Sequence, residues 1–174
     1  CVMSTPAIEN IIKYYIDIEI TIIGSSNSIE LIKNHEKVVN AFKLDTKNKL
    51  SFKQFSTLDF FDVYFTFRSS LRAKLTKLIV KATYKYQFNH SKFKKRHQVE
   101  KYVDFVNESL NINLNPGNLV CHINLQEKNK NSKILGINPG ASYGSAKRLY
   151  PENLAKIAIK LSNSFDIVIF GGIE

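Results

Sequence analysis

Lys147 and Arg148 close a run of small residues, and that arrangement could hold a diphosphate. The run is Asn138-Pro139-Gly140-Ala141-Ser142-Tyr143-Gly144-Ser145-Ala146. Small side chains let backbone N–H groups approach an anion closely. The Ser142 hydroxyl adds a donor, Lys147 a full positive charge and Arg148 a forked guanidinium. The chemistry this suits is gripping a phosphate, or neutralising one as it departs. Two common phosphate loops are excluded by spacing. Gly140 and Gly144 lie four apart and no third Gly follows at the dinucleotide interval, and Lys147 precedes Arg148 instead of the Ser or Thr of a Walker A loop. An ordinary surface loop between strand and helix is the plain structural alternative.

Such a loop needs a strand before it and a helix after it. Ile134, Leu135 and Ile137 supply a short β-prone stretch. Pro151 has the fixed φ of a first helical position, and Leu154, Ile157, Ala158 and Leu161 line one face of a helix over 152–163. A buried strand follows at 166–170. Upstream, Ile8, Ile11, Ile12 and Tyr15 mark a helix over 4–16, where Ser4 and Thr5 are the capping types. A strand is expected at 18–23, then a short helix at 26–33 capped by Asn27 or Ser28. A strand at 38–44 and a short helix at 49–58 come next. The run Asp62 to Phe67 is rich in aromatic and β-branched residues and reads as a strand. Ser70 caps a helix over 71–82, and 84–88 alternates as a strand. Val99, Tyr102, Val103, Val106 and Leu110 make the apolar stripe of a helix over 98–110. Residues 111–125 hold Pro116, Gly117 and a possible strand, LVCHINL. Strands alternating with helices argue an α/β fold with a parallel, doubly wound sheet. Ligands in such sheets sit at the carboxyl ends of strands, where the 138–148 loop falls. The polar run 126–132 reads as a linker. It separates a first domain, 1–125, from a second, 133–174, whose two strands are too few for a stable domain on their own.

The chain has 174 residues, 44% of them hydrophobic, enough for a real core. Its 25 Lys and Arg against 15 acids give a net charge of +10, which favours an anionic partner. The two cysteines, Cys1 and Cys121, offer no metal spacing and no disulfide framework, so a reducing cytosol is the simpler reading. No metal-ligand cluster is visible. No apolar run approaches the ~20 residues of a membrane-spanning helix. His90, Lys92, Lys94, Lys95, Arg96 and His97 form a basic run with Phe93 inside it. Charge plus one aromatic could bind single-stranded nucleic acid. No nucleic-acid-binding motif accompanies it, so nucleic acid is the less favoured partner.

The run NPGASYGSAKRLYPE resembles the start of the second domain of the lipopolysaccharide heptosyltransferase II family, the ADP-heptose glycosyltransferases. Their pattern is roughly PGA-x-x-G-x-A-K-R-W. Pro139, Gly140, Ala141, Gly144, Ala146, Lys147 and Arg148 match, while Leu149 stands where the family has Trp. Cys1-Val2-Met3-Ser4 fits the stretch just after the family's Gly-Asp pair. Ser70 and Arg72 are all that remains of its Asn-Ser-Phe-Arg-Ser-like turn. His97, Val99, Glu100 and Tyr102 resemble its approach to the last helix of the first domain.

The resemblance implies a GT-B-like build: two Rossmann-like doubly wound domains, the second present only in part. It implies transfer of heptose from ADP-heptose, with inversion, to the anionic inner core of lipopolysaccharide or lipooligosaccharide. Lys147 would meet the leaving diphosphate. Gly140, Ala141, Ser142, Lys147, Arg148 and Glu174 would bind the donor, and Ser4, Thr5, Ser70 and Arg72 would face the acceptor. No cofactor and no metal are implied, ADP-heptose being a substrate. The family works in the cytoplasm at the inner face of the cytoplasmic membrane. The chain would begin just beyond the family's catalytic Asp and end before its Asp-Ser/Thr-Gly-x-x-His segment, so residues 1–174 alone are expected not to catalyse transfer. Another nucleotide-sugar glycosyltransferase of the same build, or a basic nucleic-acid-binding α/β module, are the alternatives.

Overall fold

The computed structural model describes residues 1–44, 58–93, 95–124, 133–140 and 148–171. The expected helix at 49–58 and the expected linker fall almost wholly outside them. The chain divides into two compact units, Cys1–Asn124 and Leu125–Glu174.

The first unit opens with a 3₁₀ turn, Val2–Ser4, that runs into α1, Thr5–Tyr14, with Pro6 in its first turn. Then come β1 (Ile20–Gly24), α2 (Ser26–Glu30), β2 (Val38–Lys43), β3 (Phe61–Thr66), α3 (Leu71–Ile79), β4 (Ala82–Gln87) and α4 (Gln98–Leu110). β1 pairs with β2 and β3 with β4, both in parallel. Each parallel pair is joined by a helix, as parallel strands require. These are the βαβ units of an α/β protein. Among the described residues no ladder joins one pair to the other.

α4 is the centre of the described packing, and it gathers α1 and the β3–β4 pair. Val103, Phe105 and Val106 are buried together with Ala7 and Ile11 of α1 and with Phe88, while Phe65, Phe67 and Tyr86 pack against them from the β3–β4 side. α4 spans the residues the sequence predicts. Its start is fixed by a capping box. The His97 ring accepts the Val99 N–H at 3.4 Å, and the Glu100 carboxylate accepts the His97 N–H at 3.2 Å. Its end is fixed by Asn111, which takes the left-handed conformation at φ 53° that Asn tolerates.

Three expectations are corrected. The cap of α2 is Ser25, not Asn27 or Ser28; its hydroxyl meets the Ser28 hydroxyl at 2.9 Å. Ser4 stands at the N-cap of α1 but makes no cap bond. The preceding 3₁₀ turn holds its backbone helical, and its hydroxyl donates back to the Cys1 carbonyl at 2.7 Å. LVCHINL forms no strand over its described residues, 119–124. It belongs to an extended strap over 112–124 whose backbone groups find partners on α1, α2 and α4 in place of a neighbouring strand. Asn107 holds Leu114 from both sides, Asn10 donates to the Asn115 carbonyl at 3.3 Å, and the His122 N–H meets the Leu31 carbonyl at 2.8 Å. Asn10 is only 1% exposed, and its amide is what keeps that burial from costing a hydrogen bond.

The second unit contains β5 (Ile134–Ile137), α5 (Pro151–Leu161) and β6 (Asp166–Ile169), with β5 and β6 parallel. Gly136 lies against the Phe170 ring, where an added Cβ would come within 2.7 Å of the ring edge. None of the described residues of this unit is buried. One helix on two strands cannot cover its own apolar surface.

Candidate functional site

The loop that could grip phosphate follows β5, as expected, and α5 follows the loop. Pro151 takes the first turn of α5, and Glu152 lies in that turn, complementing the helix dipole. Gly140 is exposed, and its N–H points at the Asn138 side-chain oxygen at 3.4 Å. That bond is long, so the amide is weakly held within its own turn. A Cβ at 140 would meet only that same oxygen, at 3.9 Å. Arg148 is exposed just before α5. Ala141, Ser142, Lys147 and Glu174 lie outside the described residues.

The candidate acceptor residues occupy two places. Ser70 is the N-cap of α3, at the carboxyl end of β3, and accepts the Ala73 N–H at 3.3 Å. Arg72 follows in the first turn of α3, half-buried, and its carbonyl accepts from the Thr76 hydroxyl at 3.0 Å. Ser4 and Thr5 are different. They are 6% and 3% exposed. The Thr5 hydroxyl donates to the Val2 carbonyl at 2.9 Å and accepts the Val120 N–H at 3.1 Å. Both hydroxyls are committed to backbone, and Thr5 ties the strap to α1.

In the basic run at 90–97, Lys92 and Arg96 are paired within the first unit, and Lys94 lies outside the described residues. Lys92 pairs with Glu108, and Arg96 reaches Glu100 at 3.4 Å and Asp104 at 3.2 Å. Phe93 stacks on Phe88, with ring centres 6.0 Å apart and planes 9° from parallel. A ring already stacked against the core is poorly placed to stack on a base.

Sequence reasoning misses one cluster, Glu9, His35 and His122. These residues come from α1, the turn after α2 and the strap, so no local spacing announces them. Their side-chain ligand atoms all lie within 4.8 Å of one another. Glu9 Oε1 is 3.7 Å from His35 Nε2 and 3.4 Å from His122 Nε2, and the His35 side chain is 9% exposed. The residue types could bind a cation, but the tautomer argues otherwise. His35 Nδ1 accepts the Lys37 N–H at 3.0 Å. A neutral ring held that way carries its proton on Nε2, the atom facing Glu9, and has no lone pair there for a metal. The cluster is a polar latch that fastens the strap across α1 and α2. Asn34 reinforces it by donating to the His122 carbonyl at 3.0 Å. Glu9→Gln and His122→Ala are each expected to lower folding stability by about 1–2 kcal/mol in urea titrations. Wild-type midpoints in both variants would mean the latch holds nothing.

Comparison with known proteins adds to this geometry. No protein-family model matches the chain. It is 37% identical, over 98% of its length, to lipooligosaccharide heptosyltransferase 2 of Campylobacter jejuni subsp. jejuni serotype O:2. It is 36% identical, again over 98%, to the protein of the same name from serotype O:6. This chain is related to the lipooligosaccharide heptosyltransferases. It spans 55% and 56% of the length of those two curated relatives. In three dimensions it superposes on the crystal structure of a glycosyl transferase family 9 protein from Veillonella parvula DSM 2008. The TM-score is 0.75 at 17% identity, covering 98% of this chain and 58% of the other. The α/β fold is therefore that of a family 9 glycosyltransferase, of GT-B build.

Proposed function

We propose that this heptosyltransferase relative serves in transfer of heptose from ADP-heptose to the inner core of lipopolysaccharide or lipooligosaccharide. The observation that carries the reading is 37% identity to a named heptosyltransferase over 98% of the chain. The PGA…AKR segment lies within that span and supplies the chemistry. In the reaction an acceptor hydroxyl oxygen bonds to the anomeric carbon of the donor from the face opposite the diphosphate. The bond to the diphosphate breaks, its electron pair leaves with ADP, and the acceptor proton passes to a base. Lys147 offsets the charge building on the departing diphosphate. The backbone around Gly140, Ala141 and Ser142, with the Ser142 hydroxyl, adds donors, and Arg148 and Glu174 complete the donor side. Preorganised donors of this kind act most strongly where water is excluded.

On the acceptor side we retain Ser70 and Arg72, which begin α3 at the carboxyl end of β3. Thr5 enters as a structural neighbour that holds the strap, and Ser4 as one whose hydroxyl is committed to the Cys1 carbonyl. The acceptor is an anionic glycan, which suits the net charge of +10. No cofactor or metal takes part in this scheme. Its place is the cytoplasmic side, in peripheral contact with the inner membrane. Among the described residues no helix is long and apolar enough to cross a membrane.

The test is ADP release by the full-length protein from ADP-heptose and a core acceptor bearing its first heptose. Release is expected only when both are present. Release from another nucleotide sugar, with none from ADP-heptose, would assign the same build to a different donor. Salt-dependent oligonucleotide binding with no affinity for ADP would overturn the enzyme class.

A further inference from the structure

On α3 the usual division of a surface helix is reversed. The side turned into the fold is made of small or short residues: Ala73 and Thr76 are each 7% exposed and Val80 is 0% exposed. The opposite side carries the large apolar ones. Leu71, Leu75 and Leu78 are 77%, 53% and 76% exposed. At i, i+4 and i+7 they form one stripe. Lys74 and Lys81 flank it, both exposed, with Lys77 half-buried between them. None of these three lysines makes an ion pair among the described residues.

The charge around this stripe is lopsided. Residues 63–99 contain ten Lys and Arg and no Asp or Glu, so this stretch alone equals the chain's net charge of +10 and the rest is balanced. At its far end the acids of α4 neutralise Lys92 and Arg96. No acid among the described residues does the same for Lys74, Lys77 or Lys81. A second copy laid on this face would bring like charges together. An anionic bilayer would take the leucines into its acyl boundary and leave the lysines among its phosphates.

We infer that the outward face of α3 docks on a bilayer rich in anionic phospholipid. This deepens the membrane contact proposed above by naming the helix and the lipid class. It also places Ser70 and Arg72, at the start of the same helix, beside the surface that carries a lipid-borne acceptor. Docking is read without donor or acceptor, so it stands or fails separately from heptose transfer.

The experiment is vesicle co-sedimentation of the full-length protein. One set of vesicles contains phosphatidylglycerol with phosphatidylethanolamine, the other phosphatidylcholine alone. Binding is expected to the first set only and to weaken as salt rises. The combined substitutions Lys74→Gln, Lys77→Gln and Lys81→Gln should weaken it on the order of 100-fold, since each cation near such a surface is worth about a fivefold change. Leu71→Ser, Leu75→Ser and Leu78→Ser together should weaken it at least about tenfold while leaving the circular dichroism melt unchanged. Equal binding to both vesicle sets, or unchanged binding in either triple variant, overturns the inference. A leucine variant that loses its fold, or changes oligomeric state with vesicle affinity intact, assigns the face to the protein itself and also overturns it.

Discussion

Lys147→Ala is expected to lower the rate of heptose transfer by about 10²–10³-fold, the usual cost of removing one preorganised donor from developing charge. The effect should fall on kcat more than on KM for the donor. The diphosphate carries charge before and after transfer, but the charge on its bridging oxygen appears only as the bond breaks. An interaction stronger in that transition state than in the bound donor raises kcat. Lys147→Arg keeps the charge and changes its shape, since a planar fork replaces a compact ammonium. It should recover part of the rate, whereas Lys147→Gln should recover little. Arg148→Ala serves as the neighbouring comparison. If Arg148 acts through donor binding alone, its loss raises KM and leaves kcat nearly intact. An unchanged kcat in Lys147→Ala would take Lys147 out of the site and, with it, the account of how the leaving group is neutralised.

The sequence makes some of this legible and hides the rest for physical reasons. Elements with their own stop signals read well. His97 and Glu100 bracket the start of α4, and Ser70 caps α3, because capping is a local exchange of hydrogen bonds among neighbours in sequence. Alternating strands and helices mark the α/β class, and the PGA…AKR run resembles one family's phosphate loop. The strap was misread as a strand because LVCHINL has strand-like composition. What decides its state lies far away: Thr5, Asn10 and Leu31 satisfy its backbone groups, and among the described residues it pairs with no strand. The Glu9–His35–His122 latch was invisible for the same reason, since three separate elements build it. The exposed leucines of α3 are not announced by the sequence, because which face of a helix turns inward is set by what packs against it. Here Ala73, Thr76 and Val80 take the inward side. Ser4 was the reverse case. Its type suits a cap, but a 3₁₀ turn in front of it had already set the backbone.

Phe105→Ala is expected to destabilise the first unit by about 3–5 kcal/mol, a large share of what a domain of this size has to lose. Phe105 is 6% exposed. Its ring lies edge-on to Phe65, Phe67 and Phe88, at centroid distances of 5.9, 5.8 and 5.8 Å. Removing it takes away the apolar transfer term, three edge-to-face contacts and the fill of a site whose walls are themselves large rings. Such walls close poorly, because Phe67 and Phe88 are also held by Tyr102. Phe105→Leu should cost much less, since a branched aliphatic fills part of the space. Urea titration of both variants checks the order. A loss below about 1 kcal/mol in Phe105→Ala would mean the rings collapse into the gap and α4 is not the keystone inferred from its packing. The substitution also reaches toward the proposed acceptor side. Phe67 leaves β3 directly for the turn at Arg68 to Ser70 that begins α3. Loosening its contact with Phe105 should therefore raise KM for the acceptor, at temperatures where the variant is still folded, before it alters KM for the donor.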